Sequence, residues 1–241
     1  MLLASKGIVF HTIKYGDTSL IARIYTREAG MQSFLIKGVR SQKGAIRPSH
    51  LMPMNLVDMV FTLRQDRQLQ ILKELKCDPV LLEIHVSPIK RGIMLFITEL
   101  LNRAIREEEK NTDLFDFLSN SIQILDLQKE NLQLFPHYFC LQLSRYLGFF
   151  PDQNYQKGHC LDLVEGCFVP ANKVGHHSLN PEESRVAAAL MKRNFDEEEL
   201  ISVSARDRRS LLDGILRYYR LHFDHFHDLQ SHEILREVLS V

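Results

Sequence analysis

Tryptophan is absent from this 241-residue chain, and its four cysteines, at positions 77, 140, 160 and 167, are few and scattered. That is too little cysteine for a disulfide scaffold, and a reducing cytoplasm is the expected compartment. No apolar run approaches the roughly 18 residues that a membrane helix needs. The opening Met1-Leu2-Leu3-Ala4 is broken at once by Lys6, so neither a signal peptide nor a membrane location is expected. Nucleotide-loop signatures of the G-x-x-x-x-G-K-[ST] and G-x-G-x-x-G types are missing, as is H-E-x-x-H. Internal repeats and low-complexity segments are also lacking. An enzyme built on any of these devices is excluded.

Net charge is lacking too, at +0, but the balance conceals an asymmetry. Residues 1–80 hold 12 Lys/Arg against 6 Asp/Glu, and the remainder holds 18 against 24. A basic N-terminal module precedes an acidic body, which points to a polyanionic partner for the first part.

Residues 1–80 have the period of β-structure. Lys6 to Lys14 alternates around Ile8, Phe10 and Ile13. Leu20, Ala22 and Ile24 alternate with Ile21, Arg23 and Tyr25. A turn at Arg27-Glu28-Ala29-Gly30 leads into a strand from Met31 to Val39. Asn55–Leu63 and Arg67–Leu75 read as a hairpin joined through Arg64-Gln65-Asp66. Pro48 and Pro53 fall in a crossover. Five strands in about 75 residues suit a small barrel of the OB type.

After Pro79 the period becomes helical. Helices are expected from Pro88 to the charged run at 106–110, over Asp113–Leu127 with Thr112 as N-cap, and over Leu132–Leu147, stopped by Gly148. Further helices are expected at Pro181–Phe195 after Asn180, at Ala205–Phe226 after Ser204, and at Ser231–Leu239. Between them, residues 149–179 form an insertion. Its Cys160–Val164 and Glu165–Val169 segments read as a hairpin turned at Glu165-Gly166, with Cys160 and Cys167 facing each other. The expected class is α+β: an OB barrel at 1–80, then a helical domain at 81–241 interrupted by the insertion.

The densest functional signal is a glycine-punctuated basic loop carrying Lys37, Arg40, Lys43 and Arg47 within eleven residues. Cations on such a loop reach successive phosphates without a rigid fit. Lys14 and Arg23 join them as candidate DNA contacts. Tyr15, Tyr25 and Phe34 alternate with basic residues and offer rings for base stacking, although a small barrel buries most of its aromatics. Cys160 and Cys167, with His159, His176 and His177, lack the paired close spacing of a zinc site, and no metal or other cofactor is expected. His222, His225 and His227 suit a helix end. The Glu107–Glu109 and Glu197–Glu199 runs read as solvated helix ends, so no catalytic residue is assigned. Arg208, Arg209, Arg217 and Arg220 beside Tyr218 and Tyr219 are candidates to receive an acidic peptide. Two other classes fit less well: an accessory domain of a nucleic-acid enzyme, which would need clustered carboxylates, and a protein-binding adaptor using the basic loop.

Six segments in order carry a resemblance along the whole chain. They are Tyr15-Gly16-Asp17-Thr18-Ser19-Leu20, Tyr25-Thr26-Arg27-Glu28-Ala29-Gly30, Lys37-Gly38-Val39-Arg40-Ser41, Leu143 to Pro151, Tyr218-Tyr219-Arg220-Leu221-His222 and Leu229 to Leu235. Together they resemble the RecO family of bacterial recombination mediator and repair proteins. The resemblance implies an OB-fold, a helical C-terminal domain and a non-enzymatic role. It implies binding to single- and double-stranded DNA and strand annealing. It also implies work with RecR to load RecA onto DNA coated by single-strand-binding protein, whose acidic tail is engaged directly. For that tail it adds Arg145 to Arg217, Tyr218 and Arg220. A cytoplasmic, nucleoid-associated protein follows. Some members carry a four-cysteine zinc site in the insertion, and this chain keeps only Cys160 and Cys167 there.

Overall fold

A computed structural model of the chain describes residues 1–41, 45–64, 66–105, 109–193, 201–223, 226 and 228–239. They divide into two compact units, Met1–Ser87 with Thr98–Asp126, and Pro88–Ile97 with Leu127–Val241.

The first unit is built on a closed barrel of five strands: β1 (Leu2–Tyr15), β2 (Ser19–Thr26), β3 (Gly30–Ile36), β4 (Leu56–Thr62) and β5 (Leu69–Cys77). Their order around the barrel is β1-β2-β3-β5-β4. Strand β1 pairs with β4 through Leu2–Ile8 and with β2 through Gly7–Tyr15. A bulge between Val9 and His11 bends it between the two partners. The ring closes where β3 and β5 run parallel, Ser33 to Leu35 facing Leu69 to Ile71. Alternation along β2 sends Leu20, Ala22 and Ile24 inward to meet Phe34, Val57, Met59 and Phe61. Phe34 and Phe61 meet edge to face with centroids 5.0 Å apart, a favourable aromatic geometry.

Gly7 stands where β1 is flanked by both neighbours. A Cβ there would lie 2.7 Å from Ile24 Cγ2 and 2.9 Å from Met59 Sδ. The Ile24 methyl belongs to a β-branched side chain with little freedom to move.

On the outer side of β1 and β2, Phe10 and Tyr25 are buried, with Tyr25 6.1 Å from Phe115 of α2 (Thr112–Leu127). Arg27 donates from Nε and Nη2 to the two Asp116 carboxylate oxygens, both at 2.9 Å. Lys110 pairs with Glu28 at 2.6 Å. The cap of α2 is Asn111, whose Oδ1 accepts the Leu114 N–H at 3.0 Å. Thr112 is the first helical residue rather than the expected cap, because the amide at 111 is the side chain that reaches the third N–H inside the helix. Downstream of the barrel, the Asp126 carboxylate accepts the N–H groups of Leu82, Glu83 and Ile84 at 3.0, 2.8 and 2.7 Å.

Helix α1 (Pro88–Ala104) is divided between the units after Ile97. In the second unit α3 (Phe135–Tyr146) is buried from Phe135 to Ser144 and packs with α4 (Pro181–Lys192) and α5 (Ala205–His222). Asn180 and Glu183 form a reciprocal capping box on α4, and Ser204 caps α5. A short α6 (Ser231–Val238) follows. The insertion forms the two-stranded β6 (His159–Asp162) and β7 (Cys167–Pro170). Its turn spans 163–166, not Glu165-Gly166 alone, because Asp162 Oδ1 accepts the Val164 and Glu165 N–H groups. That register puts Cys160 opposite Val169 and Cys167 opposite Asp162, so the two cysteines are not the cross-strand pair expected. The architecture is α+β, as the periodicity predicts.

Replacing Gly7 by Ala should lower barrel stability by about 2 kcal/mol through overpacking. Urea unfolding of the full chain measures it; an unchanged midpoint would show that Ile24 and Met59 can give way.

Candidate nucleic-acid interface and partner pockets

The basic loop begins as a hydrogen-bonded turn. Gly38 takes φ 70°, a left-handed conformation open to glycine. Ser41 donates to the Gly38 carbonyl from N–H and Oγ at 3.0 and 2.8 Å. Val39 is buried in the barrel core, so Lys37 and Arg40 are thrown outward on either side of it. The Arg40 N–H donates to Thr18 O at 3.1 Å, tying this turn to the β1–β2 connection. Lys14 faces Leu20, and Leu20 faces Ile36, so Lys14 and Lys37 share one end of the barrel. Arg47 precedes the short 3-10 helix Pro48–Leu51 and is exposed. Arg23 lies on the outer face between His11 and Ser33 and is half-buried. Lys43 lies outside the described residues, as do Gly44, His225, His227, Glu107, Glu108 and the run at 197–199.

Among the described residues, the cations of the unit fall into an unpaired set, which also includes Lys6, Arg64, Arg67 and Lys73, and a paired one. Lys14, Arg23, Lys37, Arg40 and Arg47 have no acidic partner among the described residues. Arg27, Lys76 and Lys110 do, against Asp116, Asp58 and Glu28. The Arg27 guanidinium holds the Asp116 carboxyl below its ordinary range. Of the candidate rings, Tyr25 and Phe34 are buried and only Tyr15 is exposed, at 53%. Two cations were missed from the sequence. Arg67 and Lys73 line, with Lys37, a groove of about 830 Å³ over β3 and β5. Nothing in their local spacing marks them; the parallel pairing of those strands brings them in.

In the second unit Arg145 is exposed, its guanidinium 4.1 Å from the Phe150 ring centroid. Tyr218 is buried at 3% exposure, and its hydroxyl donates to Phe149 O at 2.7 Å. Burial pushes the phenol up to about 12. The apolar stripe of α5 turns this ring inward with Leu211 and Ile215, so the side chain is core and offers no partner surface. Tyr219 donates likewise to Cys140 O at 2.7 Å. Arg217 and Arg220 line a pocket of about 330 Å³ that also holds Asp213, Asp228 and Glu233, and Arg220 pairs with Asp228. A smaller pocket of about 60 Å³ has Leu212, Leu235 and Leu239 with Arg208, Arg209 and Arg236, the last paired with Asp213, and no acid among its described lining residues. His222 contacts Leu163 O at 2.8 Å and stacks on Phe149, a structural position. Among the described residues no group of three or more His, Cys, Asp and Glu could hold a metal ion. None of the described helices is long and apolar enough to cross a membrane.

Residues 1–78 match the family described as Recombination protein O N terminal, and residues 87–231 match Recombination protein O C terminal. The chain belongs to the RecO family. A DNA repair protein RecO from Phocaeicola vulgatus is 35% identical over 241 residues, covering all of both chains. Its namesake from Bacteroides fragilis is 35% identical over 242 residues, again over the full length of both. One from Christiangramia forsetii is 30% identical at the same coverage. A RecO protein serves DNA repair and recombination as a mediator and not as a catalytic enzyme.

His137 lines the small pocket of this RecO protein. It is fully buried, its Nε2 2.7 Å from Arg208 O and its Nδ1 without a partner among the described residues. Desolvation drives its pKa from 6.5 down to about 4, with the Arg208 charge adding to the effect. The unfolded chain therefore takes up the proton first as pH falls. Stability from this group is intact above about 6.5 and is lost progressively down to about 4. The loss is on the order of 3 kcal/mol. Denaturant unfolding at pH 7 and pH 5 should show it, and His137→Gln should flatten the dependence; equal slopes in both proteins would assign it to other groups.

Proposed function

We propose that the protein binds single- and double-stranded DNA through residues 1–80 and promotes annealing of complementary strands. With RecR, it would bring RecA to DNA coated by single-strand-binding protein. The observation that supports this is the set of exposed, unpaired cations at one end of the barrel, Lys14, Lys37, Arg40 and Arg47, with Arg23 on the adjoining face. Elsewhere in the unit Arg27, Lys76 and Lys110 are neutralised by carboxylates. Unpaired cations displace counterions from a phosphate backbone, and that supplies affinity without sequence readout. They also lower the repulsion between two strands, so annealing needs no covalent step. The protein would work in the cytoplasm, beside the nucleoid, and without bound metal.

Docking of an acidic tail fits the helical unit at Arg208 and Arg209 better than at Arg217 and Arg220. The first pair borders an apolar floor with no acid among the described lining residues, whereas Arg220 is already paired and its pocket carries three carboxylates. An acidic tail ending in an apolar residue asks for a cation and an apolar seat together.

If Lys37, Arg40, Lys43 and Arg47 each meet a phosphate, log K for a single strand should fall with log salt at a slope of roughly −3. Changing all four to Ala should flatten that slope and weaken every sequence alike; unchanged affinity would end the proposal. A tail peptide of about ten residues should bind the full chain with roughly micromolar strength, about 8 kcal/mol. Arg208→Ala with Arg209→Ala should abolish the calorimetric heat. Loss instead on Arg217→Ala with Arg220→Ala would move the tail to the larger pocket.

A further inference from the structure

One amide is buried in a barrel otherwise filled with apolar side chains. Asn55, immediately before β4, is 7% exposed, and every polar atom of its side chain is engaged. Its Nδ2 donates to Ser49 O at 2.8 Å and to His50 O at 3.2 Å, and stands 3.7 Å from Cys77 Sγ. Its Oδ1 lies 2.8 Å from His85 Nε2. The two carbonyls can only accept, which fixes the orientation of the amide, so Oδ1 accepts and His85 Nε2 carries the hydrogen. Three segments distant in the chain meet at this side chain: the 3-10 helix Pro48–Leu51, the end of β5 and the stretch that follows β5.

On one side the network reaches the basic loop. The His50 N–H donates to Arg47 O at 3.0 Å, and the Arg47 N–H donates to His50 Nδ1 at 3.4 Å. Leu51, 1% exposed, seats the end of the short helix in the core. That apolar contact alone would leave the Ser49 and His50 carbonyls without donors and the helix free to turn about it. On the other side the network reaches a fixed frame. Ile84 is fully buried, and its N–H is held with those of Leu82 and Glu83 by the Asp126 carboxylate. The Asp78 N–H donates to Leu56 O at 3.0 Å. Burial holds the His85 imidazole below its ordinary range, against the opposing Asp126 charge, and its Nδ1 has no partner among the described residues. The ring is therefore neutral and keeps the one tautomer that serves Asn55.

Resting on the reading of Arg47 as a phosphate contact, we infer that Asn55 and His85 are positioning residues for DNA binding: the relay His85–Asn55–His50 holds the Arg47 backbone in place for its exposed guanidinium to meet phosphate. Neither Asn55 nor His85 touches the nucleic acid. Ordering a loop at the moment of binding weakens affinity, and a loop anchored beforehand avoids that loss. The other end of the basic loop has its own anchor, the Arg40 N–H on Thr18 O. Loss of the relay should therefore affect Arg47 and spare Lys37 and Arg40.

Fluorescence anisotropy on the full chain tests this with a labelled single strand of about twelve nucleotides over a salt series. Arg47→Ala should reduce the slope of log K against log salt by roughly 0.7, the share of one phosphate on a single strand. His85→Leu, which removes the donor to Asn55, should weaken binding by about threefold or more and reduce the slope by a similar amount. His85→Gln, whose amide nitrogen can donate to the same Oδ1, should recover affinity to within about twofold. Arg47→Ala combined with His85→Leu should be no weaker than Arg47→Ala alone, since both act through one contact. A variant that had merely lost its fold would weaken binding further in the Arg47→Ala background. Losses that multiply in the double variant would therefore overturn the positioning role, as would His85→Leu binding like the unaltered protein. An unchanged slope in Arg47→Ala would overturn it too and leave the phosphate reading to the other cations. Absence of salt-dependent binding by the unaltered protein would remove the DNA reading itself, and the positioning role with it.

Discussion

Three residues of β3 lie parallel to three of β5, Ser33 to Leu35 beside Leu69 to Ile71, and the organisation of the first unit depends on that contact. The other pairings are antiparallel and, taken alone, leave an open sheet with β3 and β5 as its edges. Unpaired edges are a liability in water, and closure removes them. Closure also makes a surface. It sets Leu35 beside Ile71 and places Arg67 and Lys73 along the same groove as Lys37. The same few hydrogen bonds therefore complete the core inside and align cations with apolar side chains outside.

Only part of the positive charge in that unit is paired. Arg27 and Asp116, Lys110 and Glu28, and Lys76 with Asp58 and Asp78 are mutually neutralised. Exposed ion pairs of this kind add little stability, typically about 0–1 kcal/mol, but they leave little field for a polyanion. The cations of the loop end have no such partners, so their field is available at a distance set by the ionic strength. In the helical unit the contrast recurs between one pocket with three carboxylates and a smaller one with none among its described lining residues.

The order and type of the elements were legible because periodicity reports which face is buried. Leu20, Ala22 and Ile24 point inward as their alternation requires, and Asn180 and Ser204 cap the helices they precede. Local rules failed where two elements compete for one residue. Ile8, Val9 and Phe10 are all fully buried, since the bulge at Phe10 breaks the alternation and α2 covers the outer side. Asn111 rather than Thr112 caps α2. Tyr218 has a polar tip and stands among arginines, yet its ring faces the core and its hydroxyl is satisfied by Phe149 O.

By itself the sequence determined a basic β-module followed by helices, an insertion without the spacing of a zinc site, and a loop rich in cations. These follow from composition and from residue periods, which are local quantities. Six ordered segments were sufficient for the family. Tertiary structure decided which cations stay free of acids, which rings are hidden, and that Arg67 and Lys73 stand with Lys37. It also decided that Ile13, Ile21, Leu35 and Ile71 form one row. Those residues are separated by up to 58 positions in the chain, and only strand register, set by barrel closure, makes them neighbours.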